Sequence, residues 1–70
     1  MKHTAVSSSF VLSAGYDESS QTLELAFSGG STYSYAGVPQ QVYEGLLEAE
    51  SKGAFYSAKI KGIYLSTKLA

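Results

Sequence analysis

The segment 23–39, reading Leu-Glu-Leu-Ala-Phe-Ser-Gly-Gly-Ser-Thr-Tyr-Ser-Tyr-Ala-Gly-Val-Pro, constrains the fold more than any other part of the chain. Leu23, Leu25 and Phe27 alternate with Thr22, Glu24 and Ala26, the period of a half-buried strand over residues 22–28. Gly29-Gly30 supplies the positive-φ positions a tight hairpin needs, and the chain returns over residues 31–36 with Tyr33 and Tyr35 on one face. Pro39 then suits the first turn of a helix, where its missing N–H would have had no partner. One stretch therefore specifies a β-β-α unit.

The flanks extend that unit. Residues 6–16 are mostly β-branched, small or aromatic, with Phe10, Leu12, Ala14 and Tyr16 expected on one face and Ser9, Val11, Ser13 and Gly15 on the other. A polar, turn-forming stretch from Gly15 to Gln21 closes this strand onto the next, giving a three-stranded antiparallel meander. Val42, Tyr43, Leu46, Leu47 and Ala49 form an apolar stripe that predicts a helix over residues 39–51, with Glu44 and Glu48 toward solvent. Lys52 is expected in its last turn and Gly53 in the left-handed position that ends it. A second short helix over residues 54–61 would set Tyr56, Ile60, Ile63 and Tyr64 on one side before Gly62 weakens it. The tail, 64–70, reads as an edge strand or a frayed end. The fold class is α+β, β-β-β-α-α in order with a C-terminal strand as an option, its Leu23/Leu25/Phe27 face covered by the helix from Pro39.

Seventy residues make one domain, 1–70 with a core of about 6–64, near the lower size limit for a stable hydrophobic core. With no cysteine there is neither a disulfide nor a thiolate metal site, so the 44% of hydrophobic residues must hold the fold together. The apolar runs fall far short of the roughly 20 residues that span a bilayer, and Met1-Lys2-His3-Thr4 lacks an apolar signal core, so the expectation is a cytoplasmic protein with no membrane partner.

A net charge of −1 and a pI near 5.6 are not the footprint of a general nucleic-acid binder. The distribution is more informative. All six acids lie in residues 1–50 beside the single Lys2, while Lys52, Lys59, Lys61 and Lys68 follow with no acid among them. Catalysis finds little support: the one histidine, His3, is expected to be a solvated tail residue without a metal-binding partner, and Glu44 and Glu48 are ordinary neighbours on a helix face. Asp17-Glu18 belongs to a turn, and Gly29-Gly30 has no Lys-Ser/Thr behind it at P-loop spacing. Neither an enzymatic activity nor a cofactor nor a metal site is expected.

The ordered set Val6-x-Ser8-Ser9, Gly15-Tyr16-Asp17, Leu23-x-Leu25-x-Phe27, Tyr33-x-Tyr35, Val38-Pro39, Val42-Tyr43, Ser51-Lys52-Gly53 and Ile60-Lys61 resembles the KTSC domain. That family takes its name from a C-terminal segment of some lysyl-tRNA synthetases and also occurs as small stand-alone bacterial and phage proteins. Its hallmark is the central Tyr-x-Tyr. Phe55-Tyr56-Ser57 departs from the Tyr-Phe-Asn-like triplet expected there, and Lys61 stands where arginine is common. The resemblance implies a fold and suggests RNA binding, with no established function.

Register decides what the tyrosines can do. A two-residue Gly29-Gly30 turn pairs Ser28 with Ser31 and sets Ala26 opposite Tyr33 and Glu24 opposite Tyr35, leaving both rings on an open face. A three-residue loop with a glycine bulge moves them into the core beside Leu25 and Leu23. Gly-Gly serves either geometry, with the two-residue turn slightly favoured. Exposed, Tyr33 and Tyr35 would stack bases of RNA or single-stranded nucleic acid, with Lys52, Lys59 and Lys61 meeting phosphates. Packing beneath a helix is the commoner fate of strand aromatics and is favoured here. Lys59 and Lys61 lie about 200° apart on an ideal helix, which separates them, and the chain lacks arginine, the preferred group for phosphate and stacking contacts. The competing reading is a module that docks another protein through an exposed sheet face or edge.

Overall fold

The computed structural model describes residues 3–5 and 10–70. Five strands, β1 (His3–Ala5), β2 (Val11–Asp17), β3 (Thr22–Phe27), β4 (Thr32–Tyr35) and β5 (Ser66–Lys68), form one sheet in the order β1-β2-β3-β4-β5. All four pairings are antiparallel. Helices α1 (Gln40–Glu48) and α2 (Lys52–Lys59) lie between β4 and β5 in the chain. The class is α+β, as expected, but the three-stranded meander is widened by one strand on each side. The expected opening of the first strand at Val6, and the serine run Ser7-Ser8-Ser9, lie outside the described residues.

β3 is the centre of the fold, and its alternation works as read: Leu23, Leu25 and Phe27 are buried while Thr22, Glu24 and Ala26 are half-buried on the other face. β2 does not alternate simply. Val11 pairs with Phe27 and Ser13 with Ala26, so a bulge at Leu12 resets the phase. Val11 and Ala14 both reach the core and Leu12 is left 49% exposed, which reverses the assignment of Val11 and Leu12 made from strict alternation. Asp17 Oδ1 accepts from the Ser19 N–H at 3.0 Å and from the Ser19 hydroxyl at 2.7 Å, an Asx turn that aims the chain back into β3.

The hairpin from β3 to β4 uses the longer loop. Phe27 N–H donates to the Ser31 carbonyl at 2.8 Å, and Gly30 N–H to the Phe27 carbonyl at 3.2 Å, with φ of 96° and 93° at Gly29 and Gly30. Leu25 therefore pairs with Tyr33 and Leu23 with Tyr35. The two-residue register is overturned, and Tyr33-x-Tyr35 turns toward the helices.

Pro39 does not enter the first turn as expected but precedes it as the extended N-cap of α1, placed by Val38, whose side chain is buried and whose N–H donates to the Gln21 carbonyl at 2.9 Å. The helix is shorter than its apolar stripe suggests: Ala49 is already extended, and Ser51 caps a new helix by accepting from Ala54 N–H. Lys52 and Gly53 thus open α2, and Gly53 is not in the left-handed region expected of it. The two helices approach closely at Gly45, where a Cβ would sit 2.9 Å from Phe55 Cζ. α2 ends at Lys59 with Ile60 as its C-cap, and Gly62 turns beyond it at φ of 77°, so Ile60 is buried while Ile63 is 58% exposed instead of sharing its side. Val11, Ala14, Leu23, Leu25, Phe27, Tyr35, Val38, Leu46 and Ile60 make one buried cluster between the sheet and the helices. Among the described residues, no helix is long and apolar enough to cross a membrane.

Candidate functional site

The residues singled out from the sequence do not form one surface. Tyr35 is only 2% exposed, and its hydroxyl lies 2.9 Å from that of Tyr56 on α2. Burial first, and then that hydrogen bond, raise its pKa far above the ordinary phenol value. Tyr33 is half-buried, edge-on to Phe27 at 6.0 Å between ring centroids. Phe27 is the hub of this ring group, 5.1 Å from both Phe10 and Tyr56. Tyr35 is thus unavailable for base stacking in this fold, because the bulged hairpin register aims it into the core.

The lysines are divided in the same way. Lys52 Nζ donates to the carbonyls of Leu47, at 3.0 Å, and Ala49, which the end of α1 leaves without intrahelical partners. Its expected place in the last turn of the first helix is overturned: Lys52 opens α2, and from that first turn its ammonium caps α1. Lys59 and Lys61 stand exposed at the far end of α2, roughly 10 Å along the helix axis from Lys52. Lys68 is exposed on β5.

A second polar constellation had no clear sequence signal. His3, far from being a free tail residue, pairs with Gly15 in the ladder, donates from Nε2 to Glu24 Oε1 at 2.9 Å and sets Nδ1 2.9 Å from Ser13 Oγ. The pairings put His3, Gly15, Glu24, Ser34 and Thr67 in one row across all five strands. That row occupies the sheet face turned away from the helices. Period-two reading places Ser13 and Glu24 there, whereas the favoured two-residue turn had set Ser34 opposite Leu25 on the other face; His3 is missed because a three-residue strand shows no period. Among the described residues, no group of three or more His, Cys, Asp or Glu could hold a metal ion, and none of the sequence-selected residues lines a cavity.

Tyr16 shows what the covered face does with a phenol. Its ring stacks on Tyr43 of α1, centroids 5.1 Å apart and 12° from parallel, and its hydroxyl donates to the Val38 carbonyl at 2.5 Å. Burial, then the nearby Glu18 and Asp17 carboxylates, raise its pKa. No buried side-chain nitrogen or oxygen among the described residues lacks a hydrogen-bond partner.

Comparison with known proteins places this geometry. The family model for the KTSC domain matches residues 7–64. The crystal structure of a KTSC domain protein from Yersinia pestis superposes with a TM-score of 0.93 at 41% identity, covering 99% of this chain and 97% of that one. A protein of Tsukamurella paurometabola is 48% identical over 56 residues, 80% of this chain and 84% of its own. A lysine–tRNA ligase of Nostoc is 40% identical over 62 residues, which are 89% of this chain and 11% of the ligase.

Proposed function

This chain belongs to the KTSC domain family, and from that premise we propose that it is a non-catalytic accessory module whose ligand is RNA, contacted along the phosphate backbone. The observation that carries this reading is the run of lysines without an acid from Lys52 onward, with Lys59 and Lys61 exposed. The recurrence of the same unit as about a tenth of a lysine–tRNA ligase supports it. The contact mode differs from the one the sequence suggests: Tyr35 serves the core and Lys52 caps a helix, so recognition rests on Lys59, Lys61 and neighbouring surface rather than on stacking at Tyr33 and Tyr35. Such binding is weak, indifferent to base identity and strongly dependent on salt. The module acts in the cytoplasm, beside the RNA it would meet.

The test is an amide-shift NMR titration with a mixed single-stranded RNA at low and at physiological salt. Shifts clustering on residues 59–61, weakened as salt rises and lost in Lys59→Ala/Lys61→Ala, are expected. A silent spectrum at low salt, or shifts indifferent to salt, overturns the reading.

A second reading has its own observation. Ile63, Leu65 and Leu69 are 58%, 79% and 51% exposed, an apolar concentration along the C-terminal edge that suits a polypeptide partner.

A further inference from the structure

β5 is the outer strand beside β4, and every residue in it is exposed. Ala36 N–H donates to the Leu65 carbonyl at 3.0 Å and Leu69 N–H to the Thr32 carbonyl at 2.7 Å. Thr67 pairs with Ser34, so antiparallel alternation turns the backbone groups of residues 65, 67 and 69 toward β4. Those of Ser66 and Lys68 point outward, a hydrogen-bonding edge with no strand beyond it among the described residues. Such an edge is a template for another strand unless charge, proline or a bulge blunts it.

We propose that this edge pairs with the same edge of a second copy of the chain, antiparallel about a two-fold axis at Thr67, joining the two sheets into one. This names the partner for the polypeptide reading above and is independent of RNA binding. Three features of residues 65–69, Leu-Ser-Thr-Lys-Leu, select that partner and that register. The outward-facing residues are Ser66 and Lys68, so they must oppose one another or themselves. With the axis at Thr67, Ser66 of each copy exchanges backbone hydrogen bonds with Lys68 of the other, and no lysine faces a lysine. In the same register Leu65 meets the second copy's Leu69, twice, on the sheet face away from the helices, where both are exposed in the monomer. Moving the axis to residue 68 sets Lys68 against Lys68. Moving it to residue 66 sets Leu65 against Thr67 and breaks up both leucine pairs. A net charge of −1 adds little repulsion between copies.

A strand pair this short buries less than the roughly 1,000 Å² of a tight interface, so the dimer is weak and populated only at high concentration. Sedimentation equilibrium and amide NMR from about 20 µM to about 1 mM bracket that range. Concentration-dependent shifts at Ser66 and Lys68 are expected. Lys68→Pro, which removes an outward N–H and leaves the bonds to β4 in place, abolishes them. Leu69→Lys alone and Leu65→Glu alone each weaken association by roughly three- to tenfold. The double variant restores it, because in this register the carboxylate introduced at position 65 of one copy faces the ammonium introduced at position 69 of the other.

A chain that stays monomeric throughout, a dimer indifferent to Lys68→Pro, or a double variant no better than its parents overturns the proposal. Titrating a seven-residue peptide of residues 64–70 into the protein separates this failure from that of the polypeptide reading. Peptide-induced shifts at Ser66 and Lys68 in a chain that never dimerises overturn the dimer but leave the edge able to accept a free strand, and no shifts in either experiment remove both.

Discussion

Leu25 and Glu24 are neighbours in β3, yet they live by different rules. Leu25 is fully buried beneath the helices, while Glu24 holds His3 on the opposite face, each group a quarter exposed. The covered face carries a close-packed group of leucines, rings and two phenolic hydroxyls with fixed partners. The other face carries small and polar residues, Ser13, Gly15, Ser34 and Thr67, around the His3–Glu24 pair, with the exposed Leu65 and Leu69 at its β5 margin. The buried contacts therefore lie on one side of the sheet, and substitutions on the other side should cost little. Leu25→Ala should test this most severely, with a loss of about 2–5 kcal/mol in urea denaturation, whereas Glu24→Gln should stay within about 0.5 kcal/mol. Equal losses would mean that the two faces share the stability.

Tyr35→Phe sharpens the comparison on the covered side. It keeps the ring in the Phe27–Tyr56 group and removes one hydroxyl of the pair to Tyr56, so about 0.5–1.5 kcal/mol should be lost at neutral pH. The pH dependence carries a sign. Burial and the Tyr56 bond raise the folded-state pKa above that of the unfolded chain. The unfolded state therefore releases its proton first, from about pH 10 upward, and stability is full below that point and declines above it. Wild-type protein should lose stability steeply on the alkaline side, and Tyr35→Phe should flatten that limb. An unchanged limb would assign it to other tyrosines, Tyr16 first, since its pKa is also raised.

Lys52 links the folding and binding questions. Its ammonium bonds the Leu47 and Ala49 carbonyls, so Lys52→Met should cost about 1 kcal/mol through the lost cap. RNA shifts at residues 59–61 should be unaltered. If the same variant removes RNA binding from a folded protein, Lys52 belongs to the interface after all.

What could be read from the sequence followed from how strongly local chemistry overrode alternatives. Thr22–Phe27 and the Pro39 helix start were legible because alternation and a fixed φ admit one reading. The hairpin register was not, because Gly29 and Gly30 accept a two- or a three-residue loop and the favoured two-residue turn is not the one adopted, and one residue of slip decides whether Tyr35 is core or surface. The Leu12 bulge is likewise invisible to a period-two count. β1 and β5 are held by backbone pairing to a neighbour already in place, so His3–Ala5 and Ser66–Lys68 need no apolar rhythm of their own. The division of α1 from α2 was masked because Ser51, Lys52 and Gly53 suit the end of one helix and the start of another.

The smallest effect belongs to the exposed Asp17 turn, which joins β2 to β3. Hydrogen bonds from the Ser19 side chain, then its backbone N–H, hold the Asp17 pKa below the ordinary aspartate value. A carboxylate so depressed contributes stability that is present above the unfolded-state pKa of about 3.9 and lost as pH falls through the lower folded value. Ser19→Ala should therefore flatten the acid limb slightly and leave neutral-pH unfolding almost unchanged, since the turn is exposed and solvent competes for every bond in it. NMR titration of the Asp17 carboxyl in both proteins reads the cause directly: its midpoint should rise toward the ordinary value in Ser19→Ala. If the midpoint stays low, the depression comes from the backbone conformation of the turn, and the hydroxyl is dispensable.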